Sequence, residues 1–209
     1  MDHSVLAHNI FSRYAQEYSN KYMDQSAYAD ELSQFIELIP TDQRSVLDIG
    51  CGPGNVIRHI IQTDVSMKVT GIDFSKEMIR VANENCPGAD LQVMDCRDVS
   101  SVDGKFGGIV CSFCIPYLTT DETSKLVSDI SKKIVDGGAF YLSGLLGDPE
   151  DSGIERNSDG EEVYVYYHNL DELKGKLKDK GFNLVAEKVI DRSRVQRPNE
   201  LVMVLLKNA

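Results

Sequence analysis

The stretch Ser45-Val46-Leu47-Asp48-Ile49-Gly50-Cys51-Gly52-Pro53-Gly54-Asn55 holds the residues best suited to chemistry. An apolar run leads into a carboxylate, and three glycines follow at alternate positions. Glycine tolerates positive φ and has no Cβ to hold a ligand away, so backbone N–H groups can touch what lies above them. A helix beginning at Asn55 would aim its free N–H groups at the same place. Such a turn at the carboxyl end of a strand is where open α/β sheets take nucleotide-like ligands. The dinucleotide fingerprint spaces its glycines G-x-G-x-x-G. Here the last step is one residue shorter, and Asp48 precedes it. A carboxylate there suits a ligand offering a cation or a donor better than one offering pyrophosphate.

Two further acids end apolar segments. Asp73 closes Lys68 to Ile72, and Asp95 closes Asp90 to Met94. An acid at the first tip can accept both hydroxyls of a ribose; it can equally cap a helix. Asp95 beside the Cys96 amide can read an adenine edge, or it is a solvated turn residue. Three such tips on one sheet edge are more specific than any one. The five cysteines, Cys51, Cys86, Cys96, Cys111 and Cys114, are an odd number, which points to reduced thiols. Cys111 and Cys114 lie three apart in an apolar run. Unless the strand ends before Cys114, their side chains point to opposite faces. No pair among His3, His8, His59 and His168 has metal-ligand spacing, so no metal site is expected.

The elements that must position these groups alternate. Helical character from Val5 to Ile39 carries Tyr14, Tyr18, Tyr22 and Tyr28 and closes at Pro40. A strand at Ser45–Ile49 precedes a helix at Asn55–Gln62, and the Lys68–Ile72 strand precedes a helix capped by Ser75. Strands follow at Asp90–Met94 and Phe106–Phe113, the latter nearly all apolar as in a covered parallel sheet. Thr119-x-x-Glu122 reads as a capping box. Its helix carries the stripe Leu126, Val127, Ile130 and Ile134 and ends at Gly137. A strand at Ala139–Gly144 comes next. Gly147 to Gly160 reads as an exposed loop and Val163–Tyr167 as a short strand. Asn169 caps a helix that Gly181 stops. Strands at Asn183–Ile190 and Leu201–Leu206, joined by a turn with Arg192, Arg194 and Arg197, form a hairpin with one reversed strand. Alternation of this kind means a doubly wound, mostly parallel sheet.

The chain has 209 residues, 42% hydrophobic and 26% charged, which suits one globular domain with a small appendage. The net charge of −11 disfavours nucleic acid as a partner. Apolar runs are too short to cross a bilayer. Met1 to Arg13 lacks a secretory pattern, so a cytoplasmic location is expected. A small-molecule partner, with the protein a monomer or homodimer, fits these bounds.

Val46 to Gly54 resembles motif I of the class I S-adenosylmethionine-dependent methyltransferases. Gly71-Ile72-Asp73-Phe74-Ser75 resembles the second motif, Met94 to Asp98 the adenine site, and Phe106 to Phe113 the fourth motif. Gly107-Gly108 departs from the usual Asp-x pair. Ser112 to Tyr117 is not the Asn-Pro-Pro-Tyr sequence of enzymes methylating nucleobase or protein amide nitrogens. The resemblance implies a Rossmann-like α/β fold with seven strands, an antiparallel C-terminal hairpin, an N-terminal helical lid at 1–40 and a cofactor-binding domain at 41–209. It implies S-adenosylmethionine as cofactor and in-line methyl transfer to a small molecule. Gly50, Cys51, Gly52 and Gly54 would meet the methionyl part, Asp48 its ammonium, and Asp73 the ribose. Asp95, Cys96, Phe74 and Met78 would surround adenine, with Ser112 near the methionyl end. Tyr14 reads either as a ring beside the sulfonium or as a core tyrosine. Tyr18, Tyr117, Tyr141 and His168 read as substrate-pocket residues or as packing. No catalytic residue is assigned. A non-catalytic cofactor-binding protein and a nucleotide-dependent oxidoreductase are the alternatives.

Overall fold

A computed structural model describes residues 3–156, 160–195 and 197–209. Three helices come first: α1 (Ser4–Arg13), α2 (Ala15–Tyr22) and α3 (Ala29–Leu38). Then β1 (Ser45–Ile49), α4 (Asn55–Thr63), β2 (Lys68–Asp73), α5 (Lys76–Asn85), β3 (Asp90–Val93) and β4 (Phe106–Ser112) alternate. They are followed by α6 (Thr120–Lys133), β5 (Ile134–Leu146), β6 (Gly153–Arg156), β7 (Glu162–Val165), α7 (Leu170–Asp179), β8 (Phe182–Ile190) and β9 (Asn199–Lys207). Seven strands form one sheet in the order β3-β2-β1-β4-β5-β9-β8. All pairings from β3 to β5 are parallel, and β9 runs antiparallel to both β5 and β8. The order reverses between β1 and β4, and a crevice opens there at the strands' carboxyl ends.

Period-two burial fills both faces of the sheet. Leu47, Ile49 and Ile109 face Leu126, Val127 and Ile130 of α6. Val46 and Val110 face Leu32 and Phe35 of α3 and Ile57 of α4. The helices start where the side chains dictate. Thr119 accepts from the Glu122 backbone N–H while Glu122 accepts from Thr119, and the Asn169 oxygen accepts from the N–H groups of Asp171 and Glu172. Among the described residues no helix is long and apolar enough to cross a membrane.

Two expectations change. The helix over Leu126 stops at Lys133, and Ile134 opens β5 by pairing with Phe106. Gly137 therefore lies inside the strand at φ +73°, at the register irregularity between Phe106 and Gly108, not at a helix end. The segment expected as an exposed loop contains β6, which pairs with β7 into a two-stranded sheet. Its four residues hold one large apolar side chain and no alternation, so only the partner strand could reveal it. Residues 157–159 of that segment lie outside the described residues.

The departure at Gly107 has a steric cause. A Cβ there would stand 1.9 Å from the Gln43 carbonyl oxygen. Backbone cannot yield as a side chain does, so Gly107→Ala is expected to cost more than about 3 kcal/mol. Gly175→Ala, in a helix with open space around it, is the matched control and should be neutral or stabilising. Thermal melting of the pair checks this; equal melting temperatures would refute it.

Candidate functional site: a cofactor cleft and an adjoining aromatic compartment

The turn after β1 is held from below. Gly50 and Cys51 donate backbone N–H bonds to the Ile72 carbonyl of β2, at 2.9 and 3.0 Å. Gly50, Gly52 and Gly54 adopt φ of +68°, +52° and +84°, which side chains on those residues would resist. Gly54 caps α4, and a Cβ on it would meet Cys86 Sγ at 2.7 Å. The turn thus lies flat beneath a cavity of about 500 Å³.

Asp48 sits under that turn at 1% exposure, and neither carboxylate oxygen has a hydrogen-bond partner. Burial, with Asp73 nearby as a like charge, pushes its pKa up to about 8. Asp73 is also buried, but its Oδ2 accepts from Gly52 N–H at 2.9 Å and its Oδ1 from Ser75 N–H at 2.8 Å. Burial raises Asp73 to about 6, against those two bonds and the nearby His8. A carboxylate has about four acceptor sites, so roughly two stay open toward the cavity. Asp95 is engaged differently. Burial raises it, but Arg97 outweighs that through the Arg97 backbone N–H and guanidinium, so its pKa lies below the usual range. Arg97 also reaches Glu122 and the Ser4 hydroxyl, tying α6 and α1 to this tip.

Cys51, Gly52, Phe74, Met78, Cys96 and Ser112 line the same cavity as these acids. Tyr18 and Tyr117 line it as well. Four expected residues stand elsewhere. Gly54 acts as the helix cap just described. Tyr14 turns outward, its hydroxyl donating to Glu161 at 3.2 Å. Tyr141 lies in the core at 1% exposure against Phe35, because its position on β5 faces α3. His168 is buried with Nε2 on the Ile115 carbonyl at 2.9 Å, and burial lowers its pKa. Tyr141 and His168 are therefore packing residues, not pocket walls. Tyr18 and Tyr117 are poor bases: burial pushes both phenols far above the ordinary range, Tyr117 with help from Glu155.

β4 ends at Ser112, so Cys111 and Cys114 no longer diverge. The Cys114 thiol contacts those of Cys111 and Cys96; the Cys111 contact and burial raise Cys114 against the opposing effect of Cys96, and the Cys114 contact with burial raises Cys96. Among the described residues no group of His, Cys, Asp and Glu is arranged to hold a metal.

Next to the cofactor side lies an aromatic compartment. Phe11 packs edge-on against Tyr18 and Tyr117, with centroids at 5.7 and 5.0 Å, and Tyr18 leans on Tyr22. Phe113 faces Tyr28 at 5.7 Å. Phe113 has φ +50°, a strained value for a bulky residue, held by N–H bonds to the carbonyl and hydroxyl of Ser143. The strain turns the chain at the β4 tip and leaves the ring on the cavity wall. Glu155, Arg197 and Glu200 also line the cavity. Sequence reasoning does not find them. The tyrosine-rich N-terminal segment is a usable signal for Tyr28, whereas Glu155 lies in a segment that reads as a loop. In the arginine-rich turn Arg192 is held inward, pairing with Glu200, which also accepts from the Tyr28 hydroxyl.

A sheet of this order, with a glycine turn and acids on one rim, defines a Rossmann-like fold with a cleft at its switch point. In part of its sequence and in its fold the chain is similar to methyltransferases. Residues 46–138 match the Methyltransferase domain family, which spans β1 to the bend in β5. A relative from Invertebrate iridescent virus 6 is 28% identical over 139 residues, 66% of this chain. The chain spans only 49% of that relative's length. A dTDP-3-amino-3,4,6-trideoxy-alpha-D-glucopyranose N,N-dimethyltransferase of Streptomyces venezuelae is 28% identical over 127 residues, 60% of this chain and 52% of that one. A tRNA N(3)-methylcytidine methyltransferase of Schizosaccharomyces pombe is 23% identical over 141 residues, 62% of this chain and 46% of that one. The fold superposes on the DhpI–SAH complex with a TM-score of 0.73 at 19% identity, over 99% of this chain and 98% of that one.

Proposed function

We propose that the chain transfers the methyl group of S-adenosylmethionine to a small-molecule acceptor. The observation that carries the cofactor assignment is Asp48, a buried carboxylate with two unpartnered oxygens beneath a glycine turn. Such a group is costly unless a cation or donor arrives to meet it. The cofactor's ammonium answers that need, and the two open sites of Asp73 suit vicinal ribose hydroxyls. Phe74 and Met78 supply apolar surface for adenine, and the turn at Gly50 and Gly52, whose N–H groups are spent on Ile72 and Asp73, offers the methionyl part a surface without side chains. Arg97 occupies much of Asp95, so the adenine edge falls to what that carboxylate has left and to the Cys96 backbone. When bound, the cofactor supplies a methyl group already activated on a sulfonium.

The remaining work of the chain is to orient the acceptor and exclude water. The helices of residues 1–40 act as a lid in this reading. Ser12 meets Ser75 at 2.9 Å, Arg13 pairs with Glu161, and His3 stacks on Tyr164 of β7. α1 thereby bridges α5 and the β6–β7 hairpin over the cleft. A small acceptor is favoured by the enclosed aromatic compartment and by the net charge of −11, which opposes a polyanionic substrate. The sugar-modifying relative supports the same reading; the tRNA-modifying one is its counterweight. Calorimetry at pH 8 tests the cofactor assignment: S-adenosylhomocysteine should bind one to one, and NAD should give no heat. Binding of NAD in preference would overturn it.

A further inference from the structure

The acceptor compartment is roofed by the β6–β7 hairpin, and its register shows which side chains face inward. Glu155 stands opposite Val163, and Gly153 opposite Val165. Glu155, Val163 and Val165 share one face, and all three line the cavity. A carboxylate among valines, facing Tyr117 closely enough to raise its phenol, is out of place unless something pairs with it. No cation does so among the described residues: the neighbouring Arg156 is taken by Glu162 across the hairpin, and Glu155 itself accepts only from the Tyr167 hydroxyl. That bond fixes the carboxylate without neutralising it. The opposite wall is the ring cluster of Phe11, Tyr18 and Tyr117. An anion and aromatic faces around one space are what bind an organic cation.

We propose that the acceptor is a basic amine and that Glu155 is the residue that selects it. The inference rests on the methyl-transfer reading above. Glu155 pairs with the ammonium form, and the rings hold its alkyl or aryl body. For transfer, the nitrogen gives one proton to the Glu155 carboxylate, which passes it to solvent. The freed lone pair then forms the N–CH3 bond as the C–S bond breaks, and that bond's electron pair stays on sulfur. Exposed Lys21 and Arg197 at the mouth are the rival feature, since they would favour an anionic acceptor.

Benzyltrimethylammonium and benzoate make a matched pair of probes, one cationic and one anionic, for the protein saturated with S-adenosylhomocysteine. The ammonium should bind at least tenfold more tightly than benzoate. Glu155→Gln, which keeps the shape and the bond from Tyr167, should erase that preference while leaving S-adenosylhomocysteine affinity within twofold. Retained cofactor affinity also certifies the fold of the variant. Preference for benzoate, lost in Arg197→Gln and untouched in Glu155→Gln, would overturn the proposal in favour of an anion. Equal binding of both probes with cofactor affinity intact would overturn it too. Failure to bind S-adenosylhomocysteine at all would instead strike the underlying cofactor assignment.

Discussion

Asp48→Asn is expected to make the free protein more stable at pH 8.5 and to deprive it of its cofactor. An unfolded aspartate titrates near about 3.9. In the fold, burial and then Asp73 push Asp48 up to about 8. Its folded pKa is raised, so its contribution to stability is complete below the unfolded value and is lost as pH climbs through about 8. The free wild-type protein should therefore melt at falling temperatures between pH 6 and 9. The Asn variant should lose most of that slope, because an amide without partners is far cheaper to bury than an ion. A difference on the order of 2–3 kcal/mol at pH 8.5 corresponds to roughly 5–10 °C for a chain of this size. Binding tells the opposite story. An ammonium above the turn favours the ionised carboxylate, so affinity for S-adenosylhomocysteine should rise from pH 6 to 8 with release of a proton. Without the charge it should fall at least about 100-fold. Melting curves across the pH range, with calorimetry in buffers of different ionisation heat, check both halves. A variant that is less stable at pH 8.5 and still binds normally would remove Asp48 from the cofactor site.

This pairing of instability and function explains why the glycine turn is legible in the residues alone. A carboxylate at the tip of a buried strand violates local expectation, and such violations mark sites. β1 has the bounds its residues suggest, and the caps at Ser75, Thr119 and Asn169 each bond as their spacing implies. Those signals are local: one oxygen, one N–H, two or three residues apart. What the sequence hides is held by partners far along the chain. Tyr141 and His168 have the chemistry of a pocket, but the register of β5 and the turn before α7 direct them into packing. Glu155 has no signature of its own, because its facing depends on β7 and the cavity beneath. Phe113 is likewise invisible: nothing in Ser112-Phe113-Cys114 announces a left-handed backbone, which Ser143 imposes from β5. The acids at strand ends are encoded in place, whereas the aromatic compartment is assembled from α1, α2, β4 and the hairpin.

Asp73→Ala should damage both parts of the cofactor cleft, and the two losses can be separated. The side chain pins the turn by accepting from Gly52, and starts α5 by accepting from Ser75. Alanine leaves both N–H groups without that acceptor, at about 1–3 kcal/mol each if they stay dry. A lower melting temperature is therefore expected even without ligand, partly offset because Asp48 loses a like-charged neighbour. Affinity for S-adenosylhomocysteine should fall about 10–150-fold if the two open acceptor sites bind the ribose hydroxyls. The 2′-deoxy analogue isolates that contact. Wild-type protein should bind it about tenfold more weakly than the parent compound, a charge-assisted bond's share. Asp73→Ala, having nothing to offer the hydroxyl, should bind the two ligands alike, and the difference between the differences is the coupling of side chain to ribose. If the variant still discriminates as strongly as the wild type, Asp73 is a pin for the turn and the ribose is held by other groups.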